Sequence, residues 1–199
     1  MSCRAARSVL GFTGSMPGSR APSPRRSPKA PPKRQRPTAP LRPTHLDAKG
    51  HAYVVDVGAK PATHRRAKAI AVVDTTLEVL RAIADGRTPK GDVAAVARVA
   101  GIMGSKRTPE LVPLCHPIAL THASVDVALI ERGDRGEVRI TVEAECVGPT
   151  GVEMEAMTGA SVAALAVYDM IKGLDRSAAI ARVELLAKSG GRSGDWRRA

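Results

Sequence analysis

The sequence predicts an α+β fold in which helices pack on one face of an antiparallel sheet. Residues 124–130 and 137–147 alternate apolar with polar side chains, and the glycine-containing link between them is typical of a β-hairpin. A long Ala-rich segment at 150–172 has helical periodicity and follows this hairpin directly. Hairpins combined with helices on one face favour an α+β fold over a doubly wound parallel sheet.

The other elements follow from apolar periodicity and from residues that start or stop helices. The predicted elements are, in order, strands at 52–57 and 69–73, helices at 75–83 and 93–102, a short helix from 108, the two hairpin strands, the long helix and a strand at 180–187. Asp74 or Thr75 is the expected N-cap of the first helix. Thr108 and Pro109 are the expected N-cap and N1 residues of the short helix. A split β-α-β arrangement would accommodate this order.

The long helix carries charged groups at both ends. Thr150 and Glu153 have the spacing of a capping box, and Gly173 follows as a natural stop. Asp169 and Lys172 are three residues apart and therefore share a helix face. One interpretation is a rigid scaffold for acid/base groups. The alternative is that Glu153 is only a cap and that Asp169 and Lys172 form an ordinary surface ion pair.

The net charge of +12 is concentrated in the first 44 residues. This stretch holds ten Lys and Arg residues, no Asp or Glu, and nine of the fifteen prolines, which leaves only +2 for residues 45–199. Such a composition cannot bury a core, so we predict a disordered basic extension at 1–44 and one folded domain at 45–199. The extension is a targeting segment, an accessory arm or the product of a misassigned start codon.

The remaining composition argues against several classes of protein. One Trp, two Tyr and one Phe cannot form the stacking platforms of an RNA reader. Cys3, Cys115 and Cys146 form no CxxC pair, which argues against a disulfide framework or a zinc site and favours a reducing cytoplasm. No apolar run approaches the roughly 20 residues of a membrane span. We therefore expect no metal, no cofactor and no membrane partner.

Three polar segments contain candidate anion-binding groups. Lys90 lies in a glycine-bounded loop, Lys106 precedes the short helix, and Lys188 begins a glycine-rich segment whose backbone N–H groups can cradle a phosphate. His116, in the motif LCHP, can titrate near neutral pH. The alternatives are structural. The loop of Lys90 could simply connect two helices, the segment of Lys188 could be a frayed terminus, and His116 could be a structural histidine.

Together and in this order, the motifs resemble those of the molybdenum cofactor biosynthesis protein C family, the cyclic pyranopterin monophosphate synthases. The resemblance covers about residues 45–199, whereas residues 1–44 match nothing in the family pattern. The matching segments are VDVGAK (55–60), DGRTPKGDV (85–93), KRTPELVPLCHP (106–117), TGVEMEAMT (150–158), SVAALAVYDMIK (161–172) and LLAKSGGRSGDW (185–196). The joint occurrence of LCHP, GVEMEA, YDMxK and AKSGG is highly specific.

The resemblance implies a lyase that carries out the second step of molybdenum cofactor synthesis. The substrate would be 3′,8-cyclo-7,8-dihydroguanosine 5′-triphosphate, and the products would be cyclic pyranopterin monophosphate and pyrophosphate. The resemblance also implies a ferredoxin-like α+β fold and a homohexamer, built as a trimer of dimers with active sites at the dimer interface. It implies no specific nucleic-acid partner.

The resemblance also implies roles for individual residues. Asp169 would be the catalytic acid/base, and Lys172 would tune it and assist proton transfer or phosphate binding. Fixed cations would hold the triphosphate and neutralise the leaving pyrophosphate. The implied substrate-binding residues are Leu114, Cys115, His116, Glu153, Met154, Glu155, Arg65, Lys90, Lys106 and Lys188.

Some details stay open at the level of sequence. Arg66 adjoins Arg65 and could replace it in the site. Glu153 and Glu155 point about 200° apart on an ideal helix and should not face one substrate equally. A neighbouring cation would lower the pKa of Asp169 and burial would raise it, and the sequence does not decide between them.

Two departures from the family pattern and two rival functions complete the picture. Thr88-Pro89 stands where histidines are common, and Arg192 stands in place of a lysine, which keeps the charge but changes the donor geometry. One rival is a nucleic-acid-binding protein that grips phosphates through residues 1–44. The other is an inactive scaffold, which the presence of every expected ionisable group argues against.

Overall fold

A computed structural model of the chain describes residues 45–47, 49–192 and 194–199. The predicted disordered extension at 1–44 lies outside these residues. The strands are β1 (Thr63–Thr76), β2 (Leu120–Arg132), β3 (Arg135–Gly148), β4 (Ala179–Ser189) and β5 (Trp196–Arg197). The helices are α1 (Leu77–Ala84), α2 (Val93–Lys106), α3 (Thr108–Leu111) and α4 (Glu153–Ile171). None of the helices within the described ranges is long and apolar enough to cross a membrane.

The five strands form one sheet in the order β2-β3-β1-β4-β5, and every neighbouring pair is antiparallel. The first four strands and the helices between them follow the β-α-β-β-α-β order of a ferredoxin-like fold. The predicted α+β class, with helices packed on one face of an antiparallel sheet, is confirmed.

The two faces of the sheet differ because side chains alternate along each strand. On one face β1 contributes small apolar residues from Ala67 to Val73, and these pack into the core with α4. On the other face Arg66 and Lys68 form ion pairs with Glu143 of the adjacent strand. The charges of the basic segment are therefore matched across the β1–β3 ladder, and the apolar side is left to the helices.

Small residues allow α2 and α4 to lie close together and antiparallel. A methyl group at Gly101 would come within 3.2 Å of the Ala163 side chain, and one at Gly104 would come within 2.8 Å of Val162. Further along, Gly159 of α4 faces Gly101 and Ser105 of α2. Close contact without large side chains makes this helix pair a dense, rigid layer over the sheet.

The predicted strand at 52–57 is wrong. Apart from an isolated bridge between Ala52 and Leu46, this segment pairs with no strand in the described ranges, and most of it is exposed. Its apolar run resembles a strand in sequence, but it crosses the surface and reaches His116 instead. The strand predicted at 69–73 is present but begins six residues earlier, at Thr63, because the glutamates of β3 stabilise its basic half.

Several helix ends also differ from the prediction. Thr76, and not Asp74 or Thr75, caps α1 by accepting a hydrogen bond from the backbone N–H of Val79. Helix α2 continues past residue 102 to Lys106, because its glycines serve packing and do not end the helix.

Helix α3 begins one residue earlier than predicted. Arg107 is its N-cap, Thr108 is its first helical residue, and the Thr108 hydroxyl donates to the carbonyl of Ser105. The proline that follows therefore lies one position further into the helix than expected.

Asp175 ties the end of α4 to the start of α1. One carboxylate oxygen accepts hydrogen bonds from the Thr75 hydroxyl (2.9 Å) and the Thr76 N–H (3.1 Å). The other accepts from the N–H (2.8 Å) and hydroxyl (2.7 Å) of Ser177. Burial acts to raise the pKa of Asp175, but the four hydrogen bonds together outweigh it and lower the pKa below its ordinary value.

We predict that Asp175→Asn lowers the free energy of unfolding by about 2 kcal/mol near neutral pH. Each carboxylate oxygen accepts a backbone N–H, so the amide NH₂ must face one of these donors. A lowered pKa stabilises the fold above the ordinary value and is lost as the pH falls through the lowered one. The difference between wild type and variant in urea denaturation should therefore shrink below about pH 4. An unchanged difference at low pH would contradict this account.

Candidate functional site

Two adjoining cavities lie where α4 begins. The first, called here the basic cavity, has a volume of about 610 Å³. Its charged lining residues are Lys60, Arg65, Arg66, Lys188 and Arg192, with Glu153 as the one carboxylate. The second, called here the Cys115 cavity, has a volume of about 430 Å³ and is lined by residues that include Leu114, Cys115, His116, Met154 and Glu155. Lys60, Thr150, Gly151 and Glu153 line both cavities.

The start of α4 corrects the predicted capping box. The N-cap is Val152, not Thr150, and its side chain makes no capping hydrogen bond. The carboxylate of Glu153 instead accepts a hydrogen bond from Lys188, at 2.9 Å. The N–H groups of the first turn therefore keep their capacity to bind an anion, and Thr150 and Gly151 bring the chain to this point along the basic cavity.

Arg65, and not Arg66, is built into the wall of the basic cavity. Its guanidinium donates to the carbonyls of Gly148 and Pro149, both at 3.3 Å. Gly190 and Gly191 have φ angles of 88° and 77°, and a Cβ on Gly191 would collide with this guanidinium. Arg66 also borders the cavity, but it pairs with Glu143 and Glu145. The glycine-rich segment is therefore shaped around Arg65.

Burial raises the pKa of two acidic groups that line the Cys115 cavity. Burial, with a smaller contribution from the charge of Glu155, raises the pKa of the Cys115 thiol. Burial also raises the pKa of Glu155, which is only 2% exposed. His116 donates from Nε2 to the carbonyl of Val55 at 2.7 Å, because a carbonyl can only accept. This bond leaves Nδ1 as the nitrogen that can accept a proton or a hydrogen bond.

The two glutamates at the start of α4 occupy different surroundings, as their spacing predicts. Glu153 lies between the cavities and pairs with Lys188, whereas Glu155 points into the protein beneath Cys115. One is a partner for cations, and the other is a buried carboxyl group.

A third group of charges lies at the far end of α4. The Asp169 carboxylate accepts hydrogen bonds from Lys172 and Lys90, each at 2.7 Å, and Lys90 also donates to the Asp169 carbonyl at 2.7 Å. Lys172 first and Lys90 second lower the pKa of Asp169 to about 2. The cations therefore outweigh burial, and Asp169 is an ionised carboxylate at neutral pH.

Helix α4 keeps the Asp169 group away from the two cavities. At about 1.5 Å per residue, Asp169 lies about 24 Å along the helix from Glu153. Lys106, at the exposed end of α2, lines neither cavity. One protomer therefore brings Arg65 and Lys188 together with Leu114, Cys115, His116 and the first residues of α4. Lys90, Asp169 and Lys172 lie apart from this group.

Some lining residues were not singled out from the sequence. Lys60 lines both cavities, and Thr63 lines the basic cavity two residues before Arg65. The period of two along β1 would have placed Thr63 on the side of Arg65, had the strand been recognised from its true start. Within the described ranges, no cluster of three His, Cys, Asp or Glu side chains is placed to hold a metal ion.

The fold and the cavities define an α+β protein with a basic cavity next to a second cavity that a buried glutamate lines. Comparison with known proteins is more specific. The sequence profile of the MoaC family matches residues 54–191, and the chain belongs to the MoaC family.

Close relatives carry one name, cyclic pyranopterin monophosphate synthase. The chain is 55% identical over 155 residues to the protein of Thermomicrobium roseum, an alignment that covers 78% of the chain and 92% of the relative. It is 55% identical to that of Chloroflexus aurantiacus, with 78% and 94% covered, and 53% identical to that of Roseiflexus sp., with 77% and 96% covered. The predicted family and class of enzyme are confirmed.

We predict that the carboxyl carbon of Asp169 titrates in ¹³C NMR with a midpoint near 2. Lys172→Met should move the midpoint upward toward 3.8, because it removes the largest cause of the lowered pKa. Arg81→Met, which removes an exposed cation paired with Glu131, should leave the midpoint in place. A midpoint that stays the same in Lys172→Met would show that the ion pair does not control the pKa of Asp169.

Proposed function

We propose that this chain converts 3′,8-cyclo-7,8-dihydroguanosine 5′-triphosphate to cyclic pyranopterin monophosphate and pyrophosphate, at a site shared by two protomers. The observation that carries the proposal is the pair of adjoining cavities. One has five basic side chains, and the other is lined by Cys115 and Glu155, whose pKa values burial raises. The names of the relatives supply the reaction.

The basic cavity suits the triphosphate. Five basic side chains oppose the single carboxylate of Glu153, and that carboxylate is already paired with Lys188. The uncapped start of α4 adds backbone N–H groups on the same side. When the cyclic phosphate forms, a substrate oxygen bonds to the α-phosphorus and the bond to the bridging oxygen breaks. Fixed cations stabilise the charge that develops on the departing pyrophosphate.

The Cys115 cavity suits the base and the sugar. Its lining combines apolar Leu114 and Met154 with the polar groups of His116 and Glu155. Because the two cavities share Lys60 and Glu153, one ligand can span both. Opening and rebuilding the purine ring moves several protons, and the His116 ring and the Glu155 carboxyl group are placed to hold the ring system while this happens.

The Asp169 group supplies the remaining proton-transfer groups, and it comes from a second copy. In its own protomer Asp169 is about 24 Å from the cavities along a rigid helix, too far to touch a substrate bound there. A carboxylate with a pKa of about 2 is a weak base, so Lys90 and Lys172 are the proton carriers and Asp169 orients them. This assignment refines the acid/base role expected for Asp169.

The outer face of α2 and α4 is the surface on which we place the second copy. It exposes large apolar side chains on both helices, with Val99 and Leu165 each 58% exposed and Met103 48% exposed. Asp169 and Lys172 lie at one end of this face, and Met154 and Lys106 lie at the other. An apolar strip with complementary ends is what an isologous dimer requires.

A two-fold axis near the middle of α4 would pair the helices antiparallel. The end of each α4 that carries Asp169 would then meet the beginning of its partner's α4, where the two cavities lie. Two identical sites would form from one interface. A homohexamer built as a trimer of such dimers is part of this proposal.

The setting of the enzyme is also part of the proposal. Cys115 and Cys146 are free thiols, which supports a reducing cytoplasm. The family profile matches residues 54–191, which supports treating residues 1–44 as an extension that the chemistry does not need.

We predict that Asp169→Asn lowers the rate of pyrophosphate release by at least about 100-fold, because the lysines lose the anion that orients them. Lys172→Met should have an effect of similar size. Pyrophosphate release and the fluorescence of the oxidised pterin would be followed with enzymatically prepared substrate.

Asp85→Asn is the matched control. Asp85 and Asp169 are both 55% exposed and both lie 2.7 Å from a basic group, but Asp85 has no place in the proposed site. The control should keep turnover close to that of wild type. Wild-type turnover in folded Asp169→Asn would remove Asp169 from the mechanism.

A further inference from the structure

Two buried hydroxyl groups lack hydrogen-bond partners within the part of the chain that the structure describes. They are Oγ1 of Thr63 and Oγ of Ser105. A buried polar atom without a partner destabilises a fold, so each needs an explanation. Their surroundings differ, and the difference indicates what each does.

Ser105 lies in the interface between α2 and α4. Ser105 is 1% exposed, and its hydroxyl lies against Gly159. Neither cavity of the site is lined by Ser105. Its unpartnered hydroxyl is a consequence of close helix packing, in which a small side chain is needed.

Thr63 instead lines the basic cavity. It is the first residue of β1 and precedes Arg65 on the same side of the strand. Lys60, Lys188 and Gly190 line the same cavity. The hydroxyl oxygen lies just beneath the cavity wall, with less solvent exposure than the residue as a whole. A rotation about the Cα–Cβ bond can bring the hydroxyl to the position that the methyl group occupies.

We propose that the Thr63 hydroxyl is a binding group for the polyphosphate of the substrate, donating a hydrogen bond to a phosphate oxygen when the basic cavity is filled. This rests on the proposed function for the identity of the substrate, but any linear polyphosphate offers the same oxygens. A phosphate oxygen accepts strong hydrogen bonds, and the bond would satisfy a group that has no partner without the ligand. No proton is transferred, so Thr63 binds and takes no part in the chemistry.

Valine and serine variants separate a binding role from a structural one. Thr63→Val keeps the shape and removes the hydroxyl, and Thr63→Ser keeps the hydroxyl. Ser105→Ala is the matched control, because it removes the other unpartnered hydroxyl. We expect both Thr63→Val and Ser105→Ala to raise the melting temperature of the full chain, since each removes an unsatisfied buried group.

Only Thr63→Val should weaken anion binding. We expect its Kd for inorganic tripolyphosphate, measured by titration calorimetry, to rise about tenfold. Its KM for the cyclised nucleotide should rise by a similar factor, with kcat unchanged. Thr63→Ser and Ser105→Ala should bind tripolyphosphate as wild type does.

Three outcomes would overturn the proposal. They are wild-type affinity of Thr63→Val for tripolyphosphate, a lowered melting temperature together with weakened binding in Thr63→Val, and no binding of tripolyphosphate by wild type. Failure of the proposed function would look different. Wild type would then bind tripolyphosphate in a Thr63-dependent way and yet release no pyrophosphate from the cyclised nucleotide.

Discussion

The length and rigidity of α4 constrain everything else in this structure. The helix can lie close to both the sheet and α2 because its buried residues include four alanines and Gly159. A helix packed so closely cannot bend, so its two charged ends stay about 24 Å apart. The beginning of α4 forms the wall between two cavities, and its end holds Asp169 between two lysines. In our proposal a second chain, packed on the exposed apolar face of α2 and α4, completes the site.

Groups left unsatisfied by the fold converge on the basic cavity. The first turn of α4 has no side-chain cap, and Thr63 has a buried hydroxyl without a partner in the described chain. Five basic side chains line the same space. Each of these features costs stability in the empty protein and favours a bound polyanion. The Asp169 group differs, because its charges are already paired and a substrate must compete for the lysines.

Much of the fold could be predicted, because the hairpin, the long helix and the ferredoxin-like order have clear periodic patterns and a specific set of motifs. The strand predicted at 52–57 was wrong because an apolar run does not reveal whether a partner strand exists. The capping box was wrong because Lys188, distant in sequence, draws Glu153 away. The same limit applied to the pKa of Asp169, since Lys90 reaches it from another loop. The resemblance to the family pointed to the residues of the candidate site, but only the folded chain shows which of them one protomer brings together.

The central claim is that each site combines the cavities of one protomer with the Asp169 group of another. The most direct test mixes two inactive variants, Asp169→Asn and Lys188→Met, under conditions in which subunits exchange. In a mixed dimer one site contains both substitutions and the other contains neither. Random mixing at equal amounts should therefore restore about a quarter of the wild-type pyrophosphate release. No recovery, in oligomers shown to contain both variants, would place all of these residues in one protomer's site and contradict the account.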